Sequence, residues 1–180
     1  MSEATAEGGE PEDERTYSGL VSAFPYAVRQ SDSWLFKSYA VAGGLVAGVV
    51  ALLFVLALVV LIAATTGGPG GSLTVSRAFF IVTGLFVVAP LCAPVLLVAR
   101  RHRRAHATRG YDAALALAGY CLLASLYVGL VISVPSEQQA APTGLLAPVV
   151  EVLYGLPALA GILPPALAVC VIALVHRTAD

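Results

Sequence analysis

Four long apolar stretches, separated by short polar ones, constrain this chain more than any other feature. A helix rises about 1.5 Å per residue and must cross about 30 Å of hydrocarbon, so ~20 mostly apolar residues make one span. Residues 38–63 meet this length and end at the breaker TTGGPGG. Residues 78–99 meet it with Pro90 and Pro94 inside, and residues 113–134 meet it and stop before Pro135. The fourth block, residues 145–175, is longer than one upright crossing needs and contains Pro148, Glu151, Pro157, Pro164 and Pro165. Proline removes a backbone donor and clashes with the carbonyl four residues earlier. The block is therefore expected to break into a short helix at the outer interface (145–156) and a span over 158–175 kinked near Pro164. One long tilted helix is the alternative.

Composition agrees with lipid as the solvent: 58% of residues are hydrophobic and only 12% charged, where a soluble domain carries about a quarter charged. Because hydrocarbon offers no partner to a backbone amide, the spans must be helical. The expected fold is an all-α bundle of four transmembrane helices within one membrane domain, residues 17–177. Residues 1–15 carry six acids and one arginine. Lacking apolar residues able to build a core, residues 1–16 are expected to form a disordered acidic tail. The acidic start and the missing apolar core of a leader argue against a signal peptide.

Lysine and arginine placement sets the expected orientation. Arg15, Arg29, Lys37, Arg100, Arg101, Arg103, Arg104, Arg109 and Arg177 fall on one side of the spans, and Arg77 alone falls on the other. Both termini are thus expected in the cytoplasm of a multi-pass plasma-membrane protein. The cluster Arg100, Arg101, Arg103, Arg104 and Arg109, in the loop between the second and third spans, reads as a topology determinant that also contacts anionic lipid headgroups. Nucleic acid is not expected as a partner, since this loop has no aromatics to stack bases. His102 and His106 are spaced i, i+4, but arginines surround them and no third ligand stands nearby, so solvated surface histidines are expected rather than a metal site.

Ahead of the first span, YSGLVSAFPYAVRQSDSWLFKSY (17–39) mixes aromatic and aliphatic residues with basic ones. This pattern predicts an interfacial amphipathic helix over 17–29, lying on the cytoplasmic surface. Asp32 or Ser31 is then expected to cap a helix beginning near Ser33.

The first three spans contain no ionisable Asp, Glu, Lys, Arg or His, and the fourth block contains only Glu151. Ion-coupled transport and voltage sensing use such groups. Glu151 is expected at the outer face, either paired with Arg77 or pointing unpaired into the outer water. No nucleophile elbow, zincin or P-loop motif is present, so neither a catalytic site, a cofactor nor an enzyme is expected. Asp112 reads as a carboxylate favoured at a helix amino terminus. Cys92, Cys121 and Cys170 read as small thiols packing between helices. Small residues recur every four positions at Ala40, Gly44 and Gly48 and again at Ser125, Gly129 and Ser133. That spacing predicts close helix packing, within the bundle or in a homo-oligomer. Thr83, Tyr120 and Tyr127 are the polar groups expected inside.

The run AFPYAVRQSDSWLFKSYAVAGG, with SRAFFIV and VAPLCAPVLLVARRHRR, resembles a family of uncharacterised haloarchaeal integral membrane proteins, a domain of unknown function. The resemblance covers most of residues 17–177 and implies an archaeal membrane protein without assigned site residues. The nine-to-one ratio of arginine to lysine points the same way. The expected role is an accessory or scaffold subunit in contact with the lipid bilayer and other membrane proteins. The rival is an oligomeric small-solute permease or channel component lined by the proline-bent spans. For the topology, a protease-cleavable tag after Gln138 should be cut in intact cells while one after Arg104 is protected; the reverse pattern would refute the orientation.

Overall fold

A computed structural model describes residues 20–66, 70–104 and 108–178, and the acidic tail lies outside them. The described residues form helices α1 (Leu20–Gln30), α2 (Trp34–Thr65), α3 (Gly70–Arg104), α4 (Arg109–Ile132), α5 (Ala147–Tyr154) and α6 (Leu163–Thr178), with 3-10 turns at Ser136–Gln138 and Ala158–Ile162. Four helical segments, built on α2, α3, α4 and α6, are long and apolar enough to cross a membrane. At about 1.5 Å per residue, α2 and α3 run close to 50 Å, well beyond a hydrocarbon core.

The helix ends differ from expectation for identifiable reasons. Ser33, not Asp32 or Ser31, is the N-cap of α2: its hydroxyl accepts from the Phe36 amide at 3.3 Å. Ser31 supports it, accepting the Ser33 amide at 3.2 Å. The arginine cluster is not a loop. Helix α3 continues through Arg104, because arginine is a good helix former and cations are favoured in a last turn. The fourth block is broken rather than one tilted helix, and Pro164 and Pro165 do not kink a span. They occupy the first turn of α6, where no intrahelical donor is required, after the 3-10 turn has redirected the chain.

The core lies toward the arginine-rich ends of the helices. Tyr39 on α2 holds it together. Its ring is fully buried and lies where a side chain on Gly119 of α4 would stand. Its hydroxyl donates to the Leu91 carbonyl of α3 at 2.8 Å, in the turn between Pro90 and Pro94. The Tyr120 ring meets it edge-on with centroids 5.4 Å apart, and the Tyr120 hydroxyl donates to Ser38 at 2.9 Å. Helix α1 packs its buried edge, Ala23 and Ala27, into this core against α3 and α2. Phe24 lies over Gly44.

At the opposite ends the bundle separates into two pairs. Helix α2 meets α3 through Phe54 and Phe80, with ring centroids 5.1 Å apart, and Gly84 makes room for the Phe54 ring. Helix α4 instead meets the turn before α6, where Gly129 and Gly161 approach backbone to backbone with no space for a Cβ on either. Among the small residues spaced every four positions, Gly44 lies against the Phe24 ring and Gly129 against the Gly161 backbone. Ser125 bonds its own helix at Leu122 (2.7 Å), and Gly48 faces open space. Cys92 is buried, but Cys121 and Cys170 are exposed, contrary to the expectation of three packed thiols. Tyr127 is also 70% exposed, an outward-facing residue rather than an interior polar group.

Removing the Tyr39 hydroxyl should cost about 1 kcal/mol, typical of a bond between apolar helices. Gly119→Val, which drives a side chain into the Tyr39 ring, should cost on the order of 3 kcal/mol. Unfolding in mixed micelles measures both, and a wild-type stability for Gly119→Val would contradict the position of Tyr39.

Candidate functional site: the polar cluster at the arginine-rich end

Three helix ends converge where the cations are densest. The last turn of α3 brings Arg101 and His102, the first turn of α4 brings Tyr111 and Asp112, and the last turn of α6 brings His176. Thr108 caps α4 by accepting the Tyr111 amide at 3.3 Å. This sets Tyr111 and Asp112 side by side at the start of the helix.

Asp112 is only 1% exposed. Its Oδ2 lies 3.0 Å from His102 Nε2. Its Oδ1 is buried with no hydrogen-bond partner among the described residues. A buried carboxylate is costly unless its oxygens are bonded, so half of this group's capacity is unused. The Tyr111 hydroxyl and His176 Nδ1 share a hydrogen bond of 2.7 Å. The Arg101 guanidinium lies 4.3 Å above the Tyr111 ring, within cation–π range. The cluster thus ties α3 to α4 through His102 and Asp112, and α4 to α6 through Tyr111 and His176. Asp112 does stand at a helix amino terminus, and it is also a tertiary latch. Spacings of ten and sixty-five residues leave no local signature of either contact.

Arg100, Arg103 and Arg104 lie exposed on the end of α3, and Arg109 lies exposed at the start of α4. Among the described residues no group of three His, Cys, Asp or Glu could hold a metal, and His106 lies outside the described residues.

Arg77 and Glu151 do not meet. Arg77 donates through Nε to Thr65 Oγ1 at 3.1 Å and through a terminal nitrogen to the same oxygen at 2.7 Å. It also reaches the Ile62 carbonyl at 3.5 Å. It thereby caps the carboxyl end of α2, where carbonyls lack helical partners and the dipole favours a cation. Glu151 is exposed on α5.

Substituting His102→Ala or Asp112→Asn should each lower stability by on the order of 1 to 3 kcal/mol, with the double variant little worse than the poorer single. A double-mutant cycle in detergent measures this, and additive losses would show the contact to be inert.

No curated protein and no solved structure matches the chain. The family described as a domain of unknown function (DUF8056) matches residues 1–180, and the chain belongs to that family.

Proposed function

We propose that this chain is a multi-pass plasma-membrane protein, with both termini cytoplasmic, that serves as an accessory or scaffold subunit of a membrane assembly. The observation that carries the reading is the outer face of α2. Only 6% of that helix's most apolar window is buried within the chain. Phe54 and Thr65 turn toward α3, while Leu45, Gly48, Leu52 and Val59 form an exposed face along the helix. A glycine among exposed leucines allows a neighbouring helix to come close, and close approach is what drives association in lipid.

A non-catalytic role is supported by how three of the polar side chains between or at the ends of the helices are used. The hydroxyls of Tyr39 and Tyr120 and the Arg77 guanidinium are each engaged in bonds that join or cap helices. The bias of basic residues supports the orientation, and the resemblance and arginine-rich composition support an archaeal host.

Photo-crosslinkers at Leu45, Leu52 and Val59 in native membranes should give the same discrete protein adduct from all three positions, whether a second copy or another subunit. Adducts with lipid alone would sink the accessory reading. Cysteine labelling of Thr83, Tyr127 and Ala166 should show protection from water; a labelled stripe through the membrane would replace the proposal with a permease.

A further inference from the structure

Between α3 and α6 lies an apolar cleft of about 440 Å³, lined by Leu85, Phe86, Ala89, Pro90 and Ala93 on α3 and by Val169 and Ile172 on α6. Its volume falls within the usual range for small-molecule sites. It lies where α3 carries Pro90 between Ala89 and Ala93 and where α3 and α6 meet sparsely. We propose that this cleft holds one acyl chain of an anionic phospholipid whose headgroup is bound by Arg100 and Arg104. The inference rests on the membrane placement proposed above but not on the accessory role.

Register and charge argue for this occupant. Leu85, Ala89, Ala93, Leu96, Arg100 and Arg104 follow one another at steps of three or four along a continuous helix, so they share one face. The cleft and the two exposed arginines are therefore parts of one stripe, apolar below and cationic above. From Pro90 to Arg100 the helix rises about 15 Å. That is half the hydrocarbon thickness, the depth an inner-leaflet chain reaches when its phosphate lies at the arginines. A partner helix fits less well. With a diameter of about 10 Å, it would place roughly one turn in such a volume, whereas a slender flexible chain fills it lengthwise. Arginine suits the phosphate, to which its planar fork donates two bonds at once.

The test uses the full chain in nanodiscs doped with phosphatidylglycerol carrying a diazirine at the end of one acyl chain, or with phosphatidylcholine carrying the same chain. After photolysis, adducts are mapped by mass spectrometry. The expected result is labelling concentrated on 85–93 and 169–172, about tenfold stronger from the anionic lipid. Ala89→Phe, which fills the cleft from its open side, should abolish that labelling. Arg100→Gln/Arg104→Gln should bring the anionic lipid down to the level of the zwitterionic one while leaving the adducts in the cleft. Equal labelling by the two lipids, or labelling that survives Ala89→Phe, would overturn the proposal, as would chain-to-chain crosslinks through Phe86→Cys in place of lipid adducts. If Ala89→Phe does not fold, the arginine variant and the comparison of the two lipids decide alone. Failure of the chain to insert into nanodiscs would refute the membrane placement itself, whereas insertion with uniform labelling refutes only the lipid site.

Discussion

The buried hydroxyl of Tyr39 is the contact on which the arrangement of the long helices depends. Its ring rests against Gly119 of α4, and its one polar atom is satisfied by the Leu91 carbonyl of α3. Three helices are located by one side chain. Between apolar helices there is little hydrophobic gain from mutual burial in lipid, so close packing and a few well-placed hydrogen bonds must choose the geometry. A tyrosine against a glycine provides both. The same economy recurs at Gly129 and Gly161, where two backbones touch because neither residue has a side chain.

Around this centre the two ends of the bundle are held by different means. At the arginine-rich end the latches are polar: His102 with Asp112, and Tyr111 with His176. They draw α3, α4 and α6 together where charges are plentiful. At the other end Arg77 closes α2 by binding Thr65 and the Ile62 carbonyl rather than Glu151. A cation at a helix carboxyl end offsets unpaired carbonyls without a counter-ion. With α2 paired to α3 and α4 to the turn before α6, the bundle leaves apolar faces open on α2 and between α3 and α6. These are the faces on which the proposed partner and lipid would lie.

Much of this was legible in the residues, and the misreadings have physical causes. The four spans follow from the length of apolar runs, and Gly44 and Gly129 could be picked out by spacing. Ser125 has the same spacing but bonds its own helix, since a serine in an apolar helix can satisfy itself at a carbonyl one turn back. Charge made the arginine cluster look like a loop, although arginine favours helix and solvent can hydrate an extra turn. Pro164 and Pro165 read as a kink because a proline inside an apolar run usually interrupts a helix. Only the redirecting turn at Ala158–Ile162 turned them into a start. Asp112 was read by its place on α4 alone, and the contact that explains its burial comes from another helix.

The sequence alone determined that the chain would be helical, how many helices would be long and apolar enough to cross a membrane, and which ends would be basic, because those properties depend on run length, backbone satisfaction and charge count. Tertiary structure alone decided that Tyr39 would be the centre, that Asp112 would join His102, and that Arg77 would cap α2 rather than pair with Glu151. Each of these depends on which residues of separate helices come within about 3 Å of one another or fail to. In helices nearly uniform in hydrophobicity, the pattern along the chain carries no record of that choice.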